Sequence, residues 1–143
     1  MDGLDWVNVI AVTDKEELVL VSQYRHGSES YTLEIPGGCV EKGEAPEASI
    51  RRELLEETGY EAGELQQLGT IHPNPAMQSM KCHVFLARGV KHVKPQALDP
   101  GEDIQVVLEP LAKMPELIST GKITHAIVLA AFAVYLTEWT SKD

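Results

Sequence analysis

A chain of 143 residues that is 43% hydrophobic has the length of one ordinary domain, able to bury about two-thirds of its unfolded surface. Twenty-two acidic residues against twelve basic ones leave a formal charge of −10, which argues against nucleic acid or an anionic membrane surface as partner. Two cysteines, Cys39 and Cys82, are too few for a disulfide framework and suit reduced thiols.

The N-terminus MDGLDWVNVIAV lacks a basic n-region and a cleavage site, so no export is indicated and a cytoplasmic location is expected. Val7–Val12 and Leu18–Gln23 are β-rich runs joined by the polar turn Thr13-Asp14-Lys15-Glu16, the pattern of a hairpin. Tyr31–Ile35 gives a third strand and runs into Pro36-Gly37-Gly38, where regular structure should break and backbone can approach a ligand or ion. Glu44–Thr58 then reads as a helix, with Pro46 in its first turn and Gly59 just past its end, the position of a left-handed cap.

Leu65–Ile71 and His83–Ala87 follow as strands around the loop His72-Pro73-Asn74-Pro75. Beyond the acidic stretch Asp99–Asp103 come a strand at Ile104–Leu108 and a short helix over Leu111–Ser119 that Gly121 ends. The final helix is expected over Ile123–Trp139, packed across the sheet. Its run Ala126–Leu136 is about half of the roughly 20 apolar residues that cross a bilayer. No repeat or linker divides the chain, so a single α+β domain over 1–143 is expected.

On the first helix Glu53, Glu56 and Glu57 are spaced i, i+3 and i+4 and share one face, with Ala48, Ile50, Leu54 and Leu55 on roughly the opposite side. Glu56 and Glu57 occupy the last turn, where the helix dipole is negative and each like-charge pair costs a few tenths of a kcal/mol. One reading is a solvated acidic face, partly neutralised by Arg52. The other is that a divalent cation supplies the missing compensation, and three carboxylates are hard ligands suited to magnesium or manganese.

The segment GCVEKGEAPEASIRRELLEETGY from Gly38 to Tyr60 resembles the Nudix box at every position. Its fixed identities are Gly38, Glu44, Arg52, Glu53, Glu56, Glu57 and Gly59, with Leu54 and Tyr60 at the apolar positions. A chance match in this chain is on the order of one in a million at typical residue usage. The resemblance implies an α/β/α sandwich with a mixed β-sheet between helices.

It also implies metal binding by Glu53, Glu56 and Glu57, helped by the Gly37 carbonyl, and hydrolysis of a nucleoside diphosphate derivative. The ions would neutralise the diphosphate and lower the pKa of a water that attacks phosphorus in line. Arg52 is expected to orient a box glutamate, while Gly38, Glu44 and Gly59 support the loop and helix end. A carboxylate must accept the water's proton. Glu102, in DPGEDIQVV, is the candidate for base and further metal ligand beside Glu57, with Asp99 and Asp103 open; the alternative is an ordinary polar turn.

Gln23-Tyr24-Arg25, Leu33-Glu34-Ile35-Pro36-Gly37-Gly38, Pro75 and His83–Ala87 look like the branch that cleaves ADP-ribose and nucleoside-diphosphate sugars. That branch implies substrate contacts from Arg25 and Glu34; their alternative role is a strand-end salt bridge. The core here begins near Trp6, whereas that branch usually has further N-terminal strands for dimer formation and closure over adenine. The departure favours ADP-ribose less strongly, while a homodimer stays open. The spacing of His72, His83 and His125 suggests no metal trio. Competing functions are hydrolysis of nucleoside triphosphates or dinucleoside polyphosphates, and a non-catalytic nucleotide-binding module.

Overall fold

The computed structural model describes residues 4–27, 29–74 and 80–137. β1 (Trp6–Thr13) turns into β2 (Glu17–Arg25) at the expected hairpin, where Thr13 Oγ1 accepts from the amides of Lys15 and Glu17, each at 3.2 Å. The two strands pair at Val12↔Leu18 and then separate. β2 goes on to pair with β3 (Ser30–Glu34) on one edge and β8 (Ile104–Pro110) on the other. β1 runs parallel to β7 (Cys82–His92) from Trp6↔Cys82 onward.

The opening between β1 and β2 is spanned by residues 34–39. Pro36 presents its carbonyl to the Val9 amide at 3.0 Å. Gly37–Cys39 then forms β4, paired with Asn8, Val7 and Trp6. This corrects the expectation of irregular structure at Gly37-Gly38: the free edge of β1 is available there, and two glycines can approach it. A Cβ on Gly37 would collide with the Val7 carbonyl.

Alternation along β1 supplies both cores. Val7, Val9 and Ala11 face Ile50 and Leu54 of α1 (Pro46–Thr58). Ile10 and Val12 face the layer of α2 (Met114–Ser119) and α3 (Ala126–Leu136), built on Met114, Leu117, Ala131 and Phe132. The result is the expected α/β/α sandwich. Cys39 and Cys82 are free and pair with opposite edges of β1 at Trp6. Two strand spacings, about 9.6 Å, separate them, too far for a disulfide.

Several boundaries differ from expectation. α1 starts at Pro46 with Ala45 as its cap, because Glu44 is committed to the preceding loop. Ala48 is exposed and Leu55 half-buried, whereas Ser49 and Thr58 join Ile50 and Leu54 inside, so the core line runs beside the glutamates and not opposite them. β7 extends past Ala87 because a shift at Thr13↔Val90 keeps it paired with β1, and its far end pairs with β5 (Tyr60–Glu61). β6 (Glu64–Ile71) covers its other edge.

Leu111–Lys113 is a 3-10 turn ahead of α2. α3 starts at Ala126, where His125 Nδ1 accepts from the Ile127 amide at 3.2 Å, so Ile123 is buried before the helix. The helix closes at Thr137. Trp139 and Pro75 lie outside the described residues. Among the described residues no helix is long and apolar enough to cross a membrane.

Candidate active site

Gly37 and Gly38 of β4, which precede the helix, let the C-terminal half of α1 lie close against that strand. The Gly37 amide donates to Glu57 Oε1 at 3.1 Å, and a Cβ on Gly38 would occupy the space of the Glu53 carboxylate. Glycine is required here by close approach, not by an unusual φ. At the helix end Gly59 is left-handed at φ 77°, with its amide bonded to the Leu55 carbonyl at 2.8 Å.

The negative end of α1 carries no basic residue in its last turn; a different segment satisfies its carbonyls. The Ala97 amide reaches the Glu56 carbonyl at 2.8 Å. Gln96 Nε2 donates to the carbonyls of Glu57 at 2.6 Å and Ile104 at 3.0 Å, tying the helix end to β8. Sequence reasoning missed Gln96, since nothing local distinguishes it from any polar loop residue.

Arg52 forms a two-pronged contact with Glu44, Nε to Oε2 at 2.9 Å and Nη2 to Oε1 at 3.1 Å. Glu44 Oε1 also accepts from the Glu41 amide at 3.0 Å, and these contacts, the guanidinium first, hold its carboxyl down at about 2. Arg52 Nη1 donates to Glu56 Oε1 at 3.3 Å and stands 3.5 Å from Glu53 Oε2. Arg52 therefore ties Glu44 of the preceding loop to the acidic face of α1.

Glu53, Glu56, Glu57, Arg52 and Gly38 line a cavity of roughly 320 Å³ together with Asp99 and Glu102. Burial pushes Glu57 up to about 8, with the Glu53 charge adding to it, and Glu53 up to about 7 against the lowering field of Arg52, with Glu56 and Glu102 adding to it. Charged carboxylates in such surroundings require a cation or a proton. Among the described residues no three potential ligands already converge as a finished metal shell; closing around an ion would require side-chain rotation. The donor set and the glycine cradle behind Glu53 nonetheless fit a hard divalent ion.

Glu102 is held by its turn: its Oε1 accepts from the Asp99 amide at 2.7 Å, and its amide donates to the Asp99 carbonyl at 3.1 Å. Asp103 is engaged elsewhere, accepting from Tyr31 Oη at 2.7 Å.

A second cavity, of roughly 220 Å³, opens where β1 and β2 separate and shares Gly37, Gly38 and Glu57 with the first. Arg25 and Glu34 line it and are paired at both ends, Nε to Oε2 at 2.9 Å and Nη2 to Oε1 at 2.6 Å. Thr32 Oγ1 adds a short hydrogen bond to Glu34. Bonding to Glu34, aided by the field of Glu57, raises the Arg25 pKa. The pair is thus both a salt bridge and a cavity wall.

Asn8 and His125 line this cavity too; sequence reasoning passed over Asn8 and considered His125 only as a member of a metal trio that its spacing does not support. A helix cap at His125 could have been read from its place before the apolar run of α3. His83 instead bonds Asp5 at 2.8 Å, and His72 is exposed.

The model of the NUDIX domain matches residues 5–132, and the chain belongs to that family of Nudix domains. It is 36% identical over 121 residues to an ADP-ribose pyrophosphatase of Bacillus subtilis (strain 168), covering 84% of this chain and 65% of that protein. It is also 36% identical over 121 residues to a GDP-mannose pyrophosphatase of Citrobacter koseri (strain ATCC BAA-895 / CDC 4225-83 / SGSC4696), covering 77% of this chain and 61% of that protein. The chain therefore spans somewhat under two thirds of these relatives. A solved ADP compounds hydrolase superposes with a TM-score of 0.84 at 27% identity, over 97% of this chain and 74% of that one.

Proposed function

We propose that this chain is a divalent-metal-dependent hydrolase, carried by a single domain, that cleaves the pyrophosphate bond of a nucleoside diphosphate derivative. The observation that carries this reading is the shared wall at Gly37, Gly38 and Glu57 between the acidic cavity and the Arg25–Glu34 cavity. A diphosphate seated over it would have carboxylates on one side and room for its remaining groups on the other. ADP-ribose or a nucleoside-diphosphate sugar fits that division, in line with the names of the relatives; the products are a nucleoside monophosphate and a sugar phosphate.

Glu53, Glu56 and Glu57, with the Gly37 carbonyl and Glu102, would hold magnesium or manganese. Bound there, the metal supplies charge neutralisation of the diphosphate and acidification of water. Glu102 accepts a proton from the attacking water, with its carboxylate oriented by the Asp99 amide. The water oxygen bonds to one phosphorus while the bridging P–O bond breaks and the displaced phosphate leaves with the electron pair. Arg52 positions Glu53 and Glu56 without touching the reacting atoms. Arg25 and Glu34 line the seat of the substrate. A cytoplasmic location and a homodimer complete the reading.

The test is incubation with magnesium and a panel of ADP-ribose, ADP-glucose, GDP-mannose, nucleoside triphosphates and dinucleoside polyphosphates, with products separated and identified. Monophosphate and sugar phosphate are expected from the first group. No turnover of any pyrophosphate would overturn the enzyme reading, and preference for the polyphosphates would overturn the substrate class.

A further inference from the structure

We propose that Asn8 is a specificity-determining residue whose carboxamide, with the indole N–H of Trp6 from the same cavity wall, hydrogen-bonds an uncharged part of the substrate. That part offers a donor and an acceptor side by side. The proposal rests on the hydrolase reading above and adds which part of the ligand this strand recognises.

The starting observation is a residue out of pattern. The β1 row facing α2 and α3 continues with Ile10 and Val12, both in the apolar core, yet its next outward member is Asn8, only 5% exposed. Asparagine is depleted in strands, where β-branched residues fit the pleated surface better. Buried carboxamides nearly always have hydrogen-bond partners. Neither Asn8 Nδ2 nor Asn8 Oδ1 has one among the described residues, and the same is true of buried Trp6 Nε1. Three orphaned polar atoms thus belong to two residues that line one cavity.

Their place in the fold is fixed. Asn8 pairs with Gly37 on one edge and Val84 on the other, and the next amide, Val9, is bonded to the Pro36 carbonyl. A Cβ on Gly37 would stand 3.0 Å from Asn8 Cβ, so the strand carrying the carboxamide lies directly against the glycine that bonds Glu57. A ligand with its diphosphate over Gly37–Gly38 brings its next group to Asn8.

The chemistry of the wall selects that group. Arg25 and Glu34 offset one another's charge, and a carboxamide is neutral, presenting a donor and an acceptor in one plane. Neighbouring sugar hydroxyls and the donor–acceptor edge of a nucleobase share the complementary chemistry. A site built to bond such a group rejects an analogue lacking it, because its own buried polar atoms are then left unpaired.

The experiment uses the full chain with magnesium and two substitutions, Asn8→Leu, nearly isosteric without hydrogen-bonding atoms, and Asn8→Ala as a smaller alternative. Kinetics are measured on two series of nucleoside-diphosphate sugars, one varying the base at fixed sugar and the other the sugar at fixed base. The expected result is a KM rise of about tenfold or more, with most of the kcat/KM loss in KM, and a collapse of preference along one series. Collapse along the base series assigns the contact to the base, and collapse along the sugar series to hydroxyls.

A purely structural Asn8 predicts a lower melting temperature with preference intact. Folded variants whose KM and preferences stay within twofold of wild type overturn the proposal. If the wild type turns over nothing, the hydrolase reading fails separately, and calorimetric titration with ADP-ribose and with ADP in calcium decides Asn8. Binding weakened about tenfold by Asn8→Leu supports the assignment; equal binding, or none by the wild type, overturns it.

Discussion

The two cavities that meet at Gly37 and Glu57 are built on opposite electrostatic plans. The wall of α1 and β4 gathers acids that disfavour one another, with burial and repulsion raising Glu53 to about 7 and Glu57 to about 8. The wall of β1, β2, β3 and α3 holds an internally neutralised Arg25–Glu34 pair and an uncharged carboxamide. Unmet charge on one side suits metal-assisted chemistry, while unmet hydrogen-bonding capacity on the other suits recognition. The contrast teaches that reactivity and selectivity can be changed separately here, with Glu57 as the shared residue.

The largest effect should come from that shared residue. Glu57→Gln keeps an oxygen for the Gly37 amide but removes a ligand charge, and kcat should fall by about a thousandfold or more. Single-turnover hydrolysis of ADP-ribose measures it, and a loss under tenfold would detach Glu57 from the chemistry. Glu102→Gln should follow, lowering kcat by about a hundredfold, the low end for a removed proton acceptor. Near-normal turnover would return Asp99–Asp103 to being an ordinary polar turn. Across the wall, Arg25→Ala should raise KM by about tenfold with a smaller change in kcat; a change confined to kcat would erase the division between the cavities.

The same contrast explains what was legible in the sequence. The wall of α1 and β4 comes from one continuous segment, residues 37–59, so helix periodicity groups Glu53, Glu56 and Glu57 and the trailing glycine marks the cap at Gly59, while Glu44 and the orienting role of Arg52 come from the resemblance to the Nudix box. Gly38 is legible as a place where backbone approaches closely, but that the approach is to Glu53 is visible only in the fold. The other wall joins β1, β2, β3 and α3, whose juxtaposition depends on β1 and β2 separating after one pair, Val12↔Leu18. No local pattern announces that. Arg25 and Glu34 were reached only through the family resemblance, and Asn8 and Gln96 acquire meaning only from neighbours distant in sequence, as does the place of His125 beside the cavity. Ala48 shows the converse limit: a helical wheel placed it inside, but the buried line through Ser49, Ile50, Leu54 and Thr58 runs beside the glutamates, which leaves the side opposite them, where Ala48 sits, exposed.

The smallest predicted effect is on stability, and its sign separates the two walls most sharply. Glu53 and Glu57 have native pKa values above their ordinary 4.5, so the native state binds more protons than the unfolded state between about pH 4.5 and 8. Their contribution to stability is complete below that window and is lost as pH rises through it. Glu44 and Asp5, whose pKa values are lowered, act below the window, and Arg25, raised above its ordinary value by its bond to Glu34, stays charged throughout it. Chelator-treated protein should therefore melt about 5 °C lower at pH 8.5 than at pH 5.5, with magnesium restoring the difference. Glu57→Gln removes a charge that burial opposes while keeping the Gly37 contact, so it should raise the metal-free melting temperature at pH 8.5 and flatten the pH dependence. A variant that is inactive yet more stable without metal would show that the acidic wall is held against its own preference for the sake of the ion. A metal-free melting temperature that rises with pH across this window would place the strain elsewhere.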